Sequence, residues 1–492
     1  MQIVKYFKFI FFSILIILIP FLEFLSKNID ETDVILVKSF FILILIISFL
    51  FYLFVYIINY TFKQNSKYDS LLIVGISYWL FFQHNFIKLI IFKTIKFIGI
   101  NEFNPNAEIS FIIILLGSIF FSYLITKKNI FIKKFLSIFF IISFLASIFQ
   151  IIIFNKNVNI NKNSEVKLIT YSDKLNSQKE NIYFFILDGM QPLEDFQIYH
   201  NSDQSNFLEL VKNKNYEYVY NTTNFYGNTT HSLSSLFYLD KIFDKNNLLK
   251  KKVIKFFPSI LRKNESSDLI YNLNKLGYDF KWIGNFFAYC PKFNLNYCVK
   301  KDKSNIIDSY MYINFFKQTP LIQIIVKLGE FFKFNFDKYI FFKLNNGMGR
   351  LVDYLKENSE VKKNNKPTFY FIHHMSPHWP YITKSDCTYK RYAGKANMKG
   401  YKSAYLCNLK RIENTINYLS KVDPNSIVVF QADHNWEMSY ISEKKYGKRR
   451  KIFNLLKINK KCNNQKNINL NNVNTARLIL SCITGNNPIF LN

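Results

Sequence analysis

The first 154 residues carry five apolar stretches that reach or approach the ~20 residues a helix needs to cross a bilayer. They lie at about 6–26, 35–61, 70–87, 109–126 and 135–154. Backbone in hydrocarbon must satisfy its own hydrogen bonds, so runs of this length are helices. The third stretch is the weakest, because His84, Asn85 and Lys88 interrupt it. Residues 86–100 read as an amphipathic segment lying flat at the interface. No small-residue cleavage site follows the first stretch and more spans come after it, so it reads as a retained anchor rather than a signal peptide.

Lysine placement orients these spans. Lys5 and Lys8 precede the first, Lys63 and Lys67 lie between the second and third, and Lys127, Lys128, Lys133 and Lys134 crowd the turn between the fourth and fifth. The alternate loops hold Asp30, Glu31 and Asp33, then Glu102 and Glu108. The positive-inside rule puts the N-terminus in the cytoplasm, and an odd number of spans delivers the rest of the chain to the other side. Lys88, Lys93 and Lys96 fit this only if the interfacial segment holds them at headgroup level. All six cysteines (Cys290, Cys298, Cys387, Cys407, Cys462 and Cys482) fall after residue 154. Their even number and sequential grouping fit disulfides in an oxidising compartment, with neighbours in sequence paired: 290 with 298, 387 with 407, 462 with 482. No Cys-x-x-Cys is present, which argues against a zinc finger.

The formal net charge of +30 does not imply nucleic acid. Lysine dominates arginine, Asn and Ile are inflated alongside it, and no basic cluster with interleaved aromatics forms a binding face. A chain-wide bias explains it, with attraction to anionic lipid headgroups as a consequence.

Residues 155–180 form a polar linker, and 181–492 a globular domain large enough for one sizeable core. Its opening segment, Asn181-Ile-Tyr-Phe-Phe-Ile-Leu-Asp188-Gly189-Met190, is apolar on both faces, as a central strand of a parallel sheet covered by helices must be. A helix over 267–276, capped by Gly277, leads into a strand at 278–284. A strand at 368–374, a helix at 403–420 and a strand at 426–432 follow. The class is α/β with a largely parallel sheet. Leu321 to Phe332 reads as a core or membrane-surface helix, too interrupted by Lys327 and Glu330 to span.

In open α/β sheets, ligands sit beyond the carboxyl ends of the strands. Asp188 is placed there, and Ser426-Ile-Val-Val-Phe-Gln-Ala-Asp433-His434 repeats the design. A carboxylate beside an imidazole suits zinc or manganese. His373, His374 and His378 follow the third strand of this kind, where imidazoles bind metal, hold a phosphoryl oxygen or protonate a leaving group. Thr229 and Thr230 stand where a loop runs into a helix, a good place for a nucleophile that attacks phosphorus. The plain alternative is that a Thr or Ser there only caps the helix.

The ordered set Asp188, Thr229, His378 and Asp433-His434 resembles the sulfatase-like branch of the alkaline phosphatase superfamily. The whole layout resembles membrane phosphoethanolamine transferases and lipoteichoic acid synthases, in which five spans precede an extracytoplasmic catalytic domain. The resemblance implies a sulfatase-like α/β domain with a metal on Asp188, Thr229, Asp433 and His434. It makes Thr229 the nucleophile, since Ser232 then falls three residues after it as in the family pattern. It also makes His378, in Pro-His-Trp-Pro-Tyr, the histidine that contacts the phosphoryl or leaving group, with His373 beside it in substrate binding. Asn435 replaces the glycine of the family's Asp-His-Gly; Asn tolerates a left-handed turn. The Cys-x-Pro-x-Arg of true sulfatases, and its serine form, are absent.

The implied activity is metal-dependent transfer of a lipid-derived phosphoethanolamine or phosphoglycerol group to an envelope glycan through a phospho-threonine intermediate. The partners are then a phospholipid donor, a glycan acceptor and a membrane, but no nucleic acid. The location is a bacterial inner membrane, multi-pass, with the catalytic domain periplasmic. Two alternatives stand beside it: a membrane-anchored phosphodiesterase or sulfuric-ester hydrolase, and an inactive membrane scaffold for envelope assembly, which Asn435 would favour.

Overall fold

The computed structural model describes residues 2–27, 34–61, 67–84, 130–160, 180–285 except 254 and 263–266, 345–358, 366–391, 397–436, 449–458 and 468–491, with isolated positions between them. The chain divides into two compact units, Met1–Asn163 with Asn305–Phe334, and Ser164–Ser304 with Asn335–Asn492.

The first unit contains helices α1 (Gln2–Lys27), α2 (Val34–Thr61), α3 (Lys67–Phe82) and α4 (Ile130–Ile160). Within them, Phe7–Ser26, Phe40–Thr61 and Lys133–Ile152 are long and apolar enough to cross a membrane, with mean hydropathy of 2.5, 3.0 and 2.5. The third expected span is a shorter apolar helix, Asp69–Phe82. The expected fourth span at 109–126 and the interfacial segment at 86–100 lie outside the described residues, apart from isolated positions. Leu15, Ile16 and Ile19 of α1 pack with Leu71 and Leu72 of α3, Phe51 of α2 and Phe140 of α4. Phe135, Ile138, Ile142, Leu145 and Phe149 leave an exposed apolar stripe along α4. Its spacing of three and four residues is one helix face, as a lipid-facing surface requires. Lys133 pairs with Asp69 at 2.8 Å, joining α4 to α3.

A boundary drawn only along the sequence misplaces one segment. Residues 305–334, assigned above to the globular domain, cluster with the helices of the first unit. The Phe315 ring stacks on Phe21 at 4.5 Å and meets Phe24 and Phe40 edge-on at 5.5 and 5.6 Å. Aromatic pairs in such geometries add to plain area burial. The expected helix at 321–332 lies outside the described residues except for Leu321.

The second unit is built on a six-stranded sheet. In chain order its elements are β1 (Ile182–Leu187), α5 (Leu193–His200), α6 (Ser205–Asn213), β2 (Glu217–Tyr218), α7 (Thr229–Phe237), α8 (Asp268–Lys275), β3 (Asp279–Ile283), α9 (Gly347–Asn358), β4 (Thr368–His374), α10 (Met398–Val422), β5 (Ile427–Ala432), β6 (Asn454–Lys457) and α11 (Asn472–Thr484). The strand order is β2-β6-β5-β1-β4-β3. β1 pairs in parallel with β4 and β5, and β3 in parallel with β4. β6 and β2 add an antiparallel edge, so the sheet is mixed but mostly parallel.

Both faces are covered, as the unbroken apolar run in β1 requires. Tyr183, Phe185 and Leu187 point to a core shared with Leu351 of α9 and Tyr401, Tyr405 and Ile412 of α10. Ile182, Phe184 and Ile186 point to the opposite core, with Leu233 and Phe237 of α7, Leu273 of α8 and Ile479 of α11. The alternation is the period-2 geometry of a strand. Register decides where chemistry can gather. Leu187 lies level with His374 of β4 and with Ala432 of β5. The residues leaving three adjacent parallel strands therefore emerge side by side.

Candidate metal and catalytic centre

Asp188 leaves β1 and is buried, 1% exposed. Gly189 follows with φ of +67°, and a Cβ there would stand 3.4 Å from His434 Cε1 and 3.6 Å from His378 Cδ2. Glycine thus lets the chain turn and lets two imidazoles approach it. The turn is held from both sides. The Gly189 amide donates to Asp433 Oδ1 at 3.1 Å, and the Tyr401 hydroxyl donates to the Gly189 carbonyl at 3.0 Å. Tyr405, one helical turn further along α10, donates to the Gln191 carbonyl at 3.0 Å.

Around Asp188 the other elements converge. Its Oδ2 lies 3.1 Å from His373 Nε2, and its Oδ1 lies 3.4 Å from His434 Nε2 and 3.5 Å from Thr229 Oγ1. His434 Nε2 is 3.7 Å from Asp433 Oδ2. The edge of a tetrahedron with arms of 2.0–2.2 Å is about 3.3–3.6 Å; the 3.4 and 3.5 Å spacings fall in that range, and those of 3.1 and 3.7 Å lie just outside it. Donor atoms of Asp188, His378 and His434 form one group within 4.8 Å of one another, and those of Asp188, His373 and Asp433 form a second. All six residues singled out from sequence meet here. His378 and His373, assigned above to substrate contact, present their nitrogens to the same carboxylate as the expected ligands.

Proton placement follows from the partners. His434 Nδ1 is 2.5 Å from the Asn435 carbonyl and His378 Nδ1 is 2.7 Å from the Trp379 carbonyl. A carbonyl only accepts, so both imidazoles carry a proton on Nδ1, and in the neutral form Nε2 keeps a lone pair. Hydrogen bonds of this kind orient metal-binding histidines. Burial works to raise the Asp188 carboxyl, but the imidazoles of His378, His373 and His434 hold it well below the usual carboxylate range. Burial works to lower His434, but Asp433 and Asp188 carry it above its ordinary value.

The donor set fits a divalent cation. Asp433 Oδ1 accepts from the amides of Gly189 and His434, at 3.1 and 2.9 Å. Its Oδ2 is buried and, like His373 Nδ1, makes no hydrogen bond among the described residues, though it faces His434 Nε2 at 3.7 Å. A buried carboxylate oxygen without a donor is costly unless a positive charge faces it. Carboxylate oxygens beside imidazole nitrogens are the ligands zinc and manganese accept.

Thr229 opens α7, and the cap of that helix is not Thr229. Asn228 accepts the His231 amide through its side chain at 2.8 Å. Capping is therefore done by the preceding residue, and the Thr229 hydroxyl turns to Asp188. Ser232, three residues on, donates to the Tyr226 carbonyl at 2.9 Å and holds the loop that enters the helix.

Asn435 behaves differently from the sequence expectation. It is not among the described residues with positive φ, so no left-handed tolerance is in use. Its side chain is fully buried and tied, donating to Asp195 Oδ2 of α5 at 3.3 Å and accepting the Trp436 amide at 2.6 Å. The supporting asparagines also escaped notice in an Asn-rich chain. Asn224 donates to the Asp433 carbonyl at 2.7 Å and also to Asn472, which in turn donates to Gln431 at 2.9 Å. His374, next to the ligand-like His373, donates from Nε2 to Asn408 Oδ1 at 3.0 Å and receives the Met348 amide. The amide contact falls on Nδ1, so Nε2 carries the proton, and burial with the Arg411 cation nearby lowers His374 to about 3.

Cys387 and Cys407 are joined, with Cα atoms 4.9 Å apart. This fastens the segment after His378 to α10, the helix that carries Tyr401 and Tyr405. Cys298 and Cys482 are also disulfide-bonded, while Cys290 and Cys462 lie outside the described residues. Replacing Cys387 and Cys407 together with serine is expected to lower the unfolding free energy by about 2–4 kcal/mol, the range for a closed loop of this size. Denaturant titration reads it, and an unchanged midpoint would show that other contacts already hold the segment.

A family model described as Sulfatase matches residues 180–463. No curated protein matches the chain. Among solved structures, the integral membrane protein lipooligosaccharide phosphoethanolamine transferase A from Neisseria meningitidis is 12% identical, over 90% of this chain and 88% of that one, with a TM-score of 0.37. Its soluble domain is 13% identical, over 64% of this chain and 90% of that one, with a TM-score of 0.40. The lipoteichoic acid synthase LtaP from Listeria monocytogenes is 16% identical, over 68% of this chain and 78% of that one, with a TM-score of 0.37.

Proposed function

Because the chain belongs to the sulfatase family, we propose that it is a membrane-anchored phosphotransferase that moves a phospholipid headgroup, phosphoethanolamine or phosphoglycerol, to a hydroxyl of an envelope glycan. The observation that carries this reading is the Thr229 hydroxyl, free of capping duty and 3.5 Å from Asp188, in the same cluster as the buried carboxylate of Asp433. In this reading residues 1–154 anchor the protein through about five spans in a bacterial inner membrane, 155–180 link, and 181–492 do the chemistry in the periplasm. Anchoring keeps the nucleophile near a lipid substrate, which a freely soluble phosphatase does not need.

Asp188, Asp433 and His434 would hold zinc or manganese, with Thr229 Oγ1 and His378 beside them. The cation would supply charge neutralisation and a lowered pKa for the Thr229 hydroxyl. Thr229 Oγ1, its proton already lost to solvent, attacks the headgroup phosphorus, the bond from phosphorus to the diacylglycerol oxygen breaks, and His378 Nε2 in its protonated form gives that oxygen a proton. The headgroup phosphoryl is then an ester of Thr229. Neutral His378 next takes the proton from an acceptor hydroxyl, whose oxygen attacks the same phosphorus and releases Thr229. The N-terminus of α7 presents its unpaired amides and dipole to the phosphoryl oxygens throughout. Water as acceptor would make the protein a phosphodiesterase. A sulfuric-ester hydrolase reading is disfavoured by a threonine at the nucleophile's position.

Lipid mass spectrometry of cells with and without the protein tests the proposal. The expected result is loss of one headgroup-modified envelope glycan together with less diacylglycerol. Release of free headgroup phosphate by purified protein, with no transfer to purified glycan, would replace the transferase by a hydrolase.

A further inference from the structure

Beside the catalytic cluster lies a second polar cleft that the transfer reaction described above does not use. It is a shallow cleft open to solvent, with enclosed room for about one water, and Phe342, Asn345, Ser376, His378, Thr383 and Arg411 line it. His378 belongs to both places: its ring approaches Gly189 and His434 on one side and borders the cleft on the other.

Three polar groups in this cleft, on Arg411, Asn345 and Ser376, have unmet hydrogen-bonding capacity among the described residues. Arg411, on α10, has neither a carboxylate nor a hydrogen-bond partner for its guanidinium among the described residues. Burial lowers Arg411 to about 10, so it is still charged at neutral pH. Asn345 is 8% exposed, and its Oδ1 is buried without a partner. The Ser376 hydroxyl also makes no hydrogen bond among the described residues, although the Ser376 carbonyl is held by Asn408 at 2.5 Å. A half-buried guanidinium without a counter-charge is free to take an anion at the mouth of the cleft, and planar guanidinium forks bind phosphate and carboxylate. A fork, an amide and a hydroxyl around one opening can satisfy the oxygens of an anion together with a hydroxyl next to it.

We propose that this cleft is an anion subsite in which Arg411, Asn345 and Ser376 hold a second negatively charged group, phosphate- or carboxylate-like, carried by the acceptor. The transferase reading underlies the assignment to the acceptor, whereas the anion site stands on the cleft alone. A phospholipid diester brings one negative charge, and that charge belongs to the reacting phosphorus beside Thr229. The charge facing Arg411 must come from elsewhere in the substrate pair, either from an anionic saccharide or from a carboxylate on the donor headgroup. Arg411 is then a specificity residue, selecting acidic over neutral glycans.

The test is thermal unfolding of the full-length protein in detergent, titrated with sodium sulfate at constant ionic strength. Wild type is expected to gain about 2–4 °C at ten times the half-saturating concentration. Thr229→Ala should respond as wild type does. Arg411→Gln should melt no lower than wild type without sulfate, because it removes an uncompensated charge, and should lose the response; Arg411→Lys should keep part of it. An undiminished response in Arg411→Gln, or none in wild type, would overturn the subsite without touching the role of Thr229. In a second arm, glucose 6-phosphate should stabilise wild type but not Arg411→Gln, and glucose should stabilise neither. Glycerophosphoserine acting where glucose 6-phosphate does not would move the charge to the donor headgroup and overturn the acceptor assignment.

Discussion

Thr229→Ala is expected to abolish headgroup transfer, with a fall of about 10⁴-fold or more, as when a covalent nucleophile is removed. It should leave the fold nearly unchanged. The cap of α7 is Asn228, so the ~1 kcal/mol that a lost cap would cost does not apply to Thr229. The metal-binding groups should also survive, because Asp188 keeps His373 and His434 at 3.1 and 3.4 Å when the threonine hydroxyl is gone. Thr230→Ala is the matched control. It sits one residue along the same helix turn, so a general disturbance of the helix start would affect both variants, whereas loss of the nucleophile affects only the first. The measurement is transfer of a labelled headgroup, together with trapping of labelled protein during turnover. Equal activity in both variants would remove Thr229 from the mechanism and leave the Asp188 contact as a structural hydrogen bond.

Much of the site is legible in the sequence because its residues leave buried strands. An apolar run covered on both faces has few places for a carboxylate, and Asp188 and Asp433 stand where β1 and β5 end. Parallel pairing and in-register ends then bring them together without further information. What the sequence hides is the support. Tyr401 and Tyr405 pin the loop after β1, but two tyrosines at helical spacing read as core. Asn224, Asn435 and Asn472 carry hydrogen bonds around Asp433 and His434, yet each is one asparagine among many in a compositionally biased chain. The return of Phe315 to the first unit is a long-range contact with no local signature. The antiparallel edge made by β6 and β2 is equally silent, since strands of four and two residues barely register as periodicity. Asn435 shows the opposite hazard. A glycine in the family pattern suggests a left-handed turn, but here the position is filled by a side chain whose two ends are both used.

Asp433→Asn separates the metal reading from a purely structural one with the greatest leverage. The two oxygens of Asp433 have different lives. Oδ1 accepts two backbone amides, which an asparagine carbonyl oxygen can also do, so the turn after β5 should keep its shape. Oδ2 has no donor and faces His434 Nε2 at 3.7 Å. Substitution puts an amide NH₂ there, which cannot coordinate a cation but can donate to an unprotonated imidazole nitrogen. Two consequences follow. Bound zinc or manganese, counted by elemental analysis of purified protein, should fall at least tenfold, and transfer with it, as is typical when a ligand is lost. The metal-stripped variant should also melt lower than metal-stripped wild type, because the Asp433 charge that supports protonated His434 is gone. Adding metal should then stabilise wild type and leave Asp433→Asn where it was. If the carboxylate only braced the loop, the substitution would be nearly silent in every column of that comparison. If the variant melted lower yet still bound metal, Asp433 would serve only to pair with His434, and the ligand set would shrink to Asp188, His378 and His434.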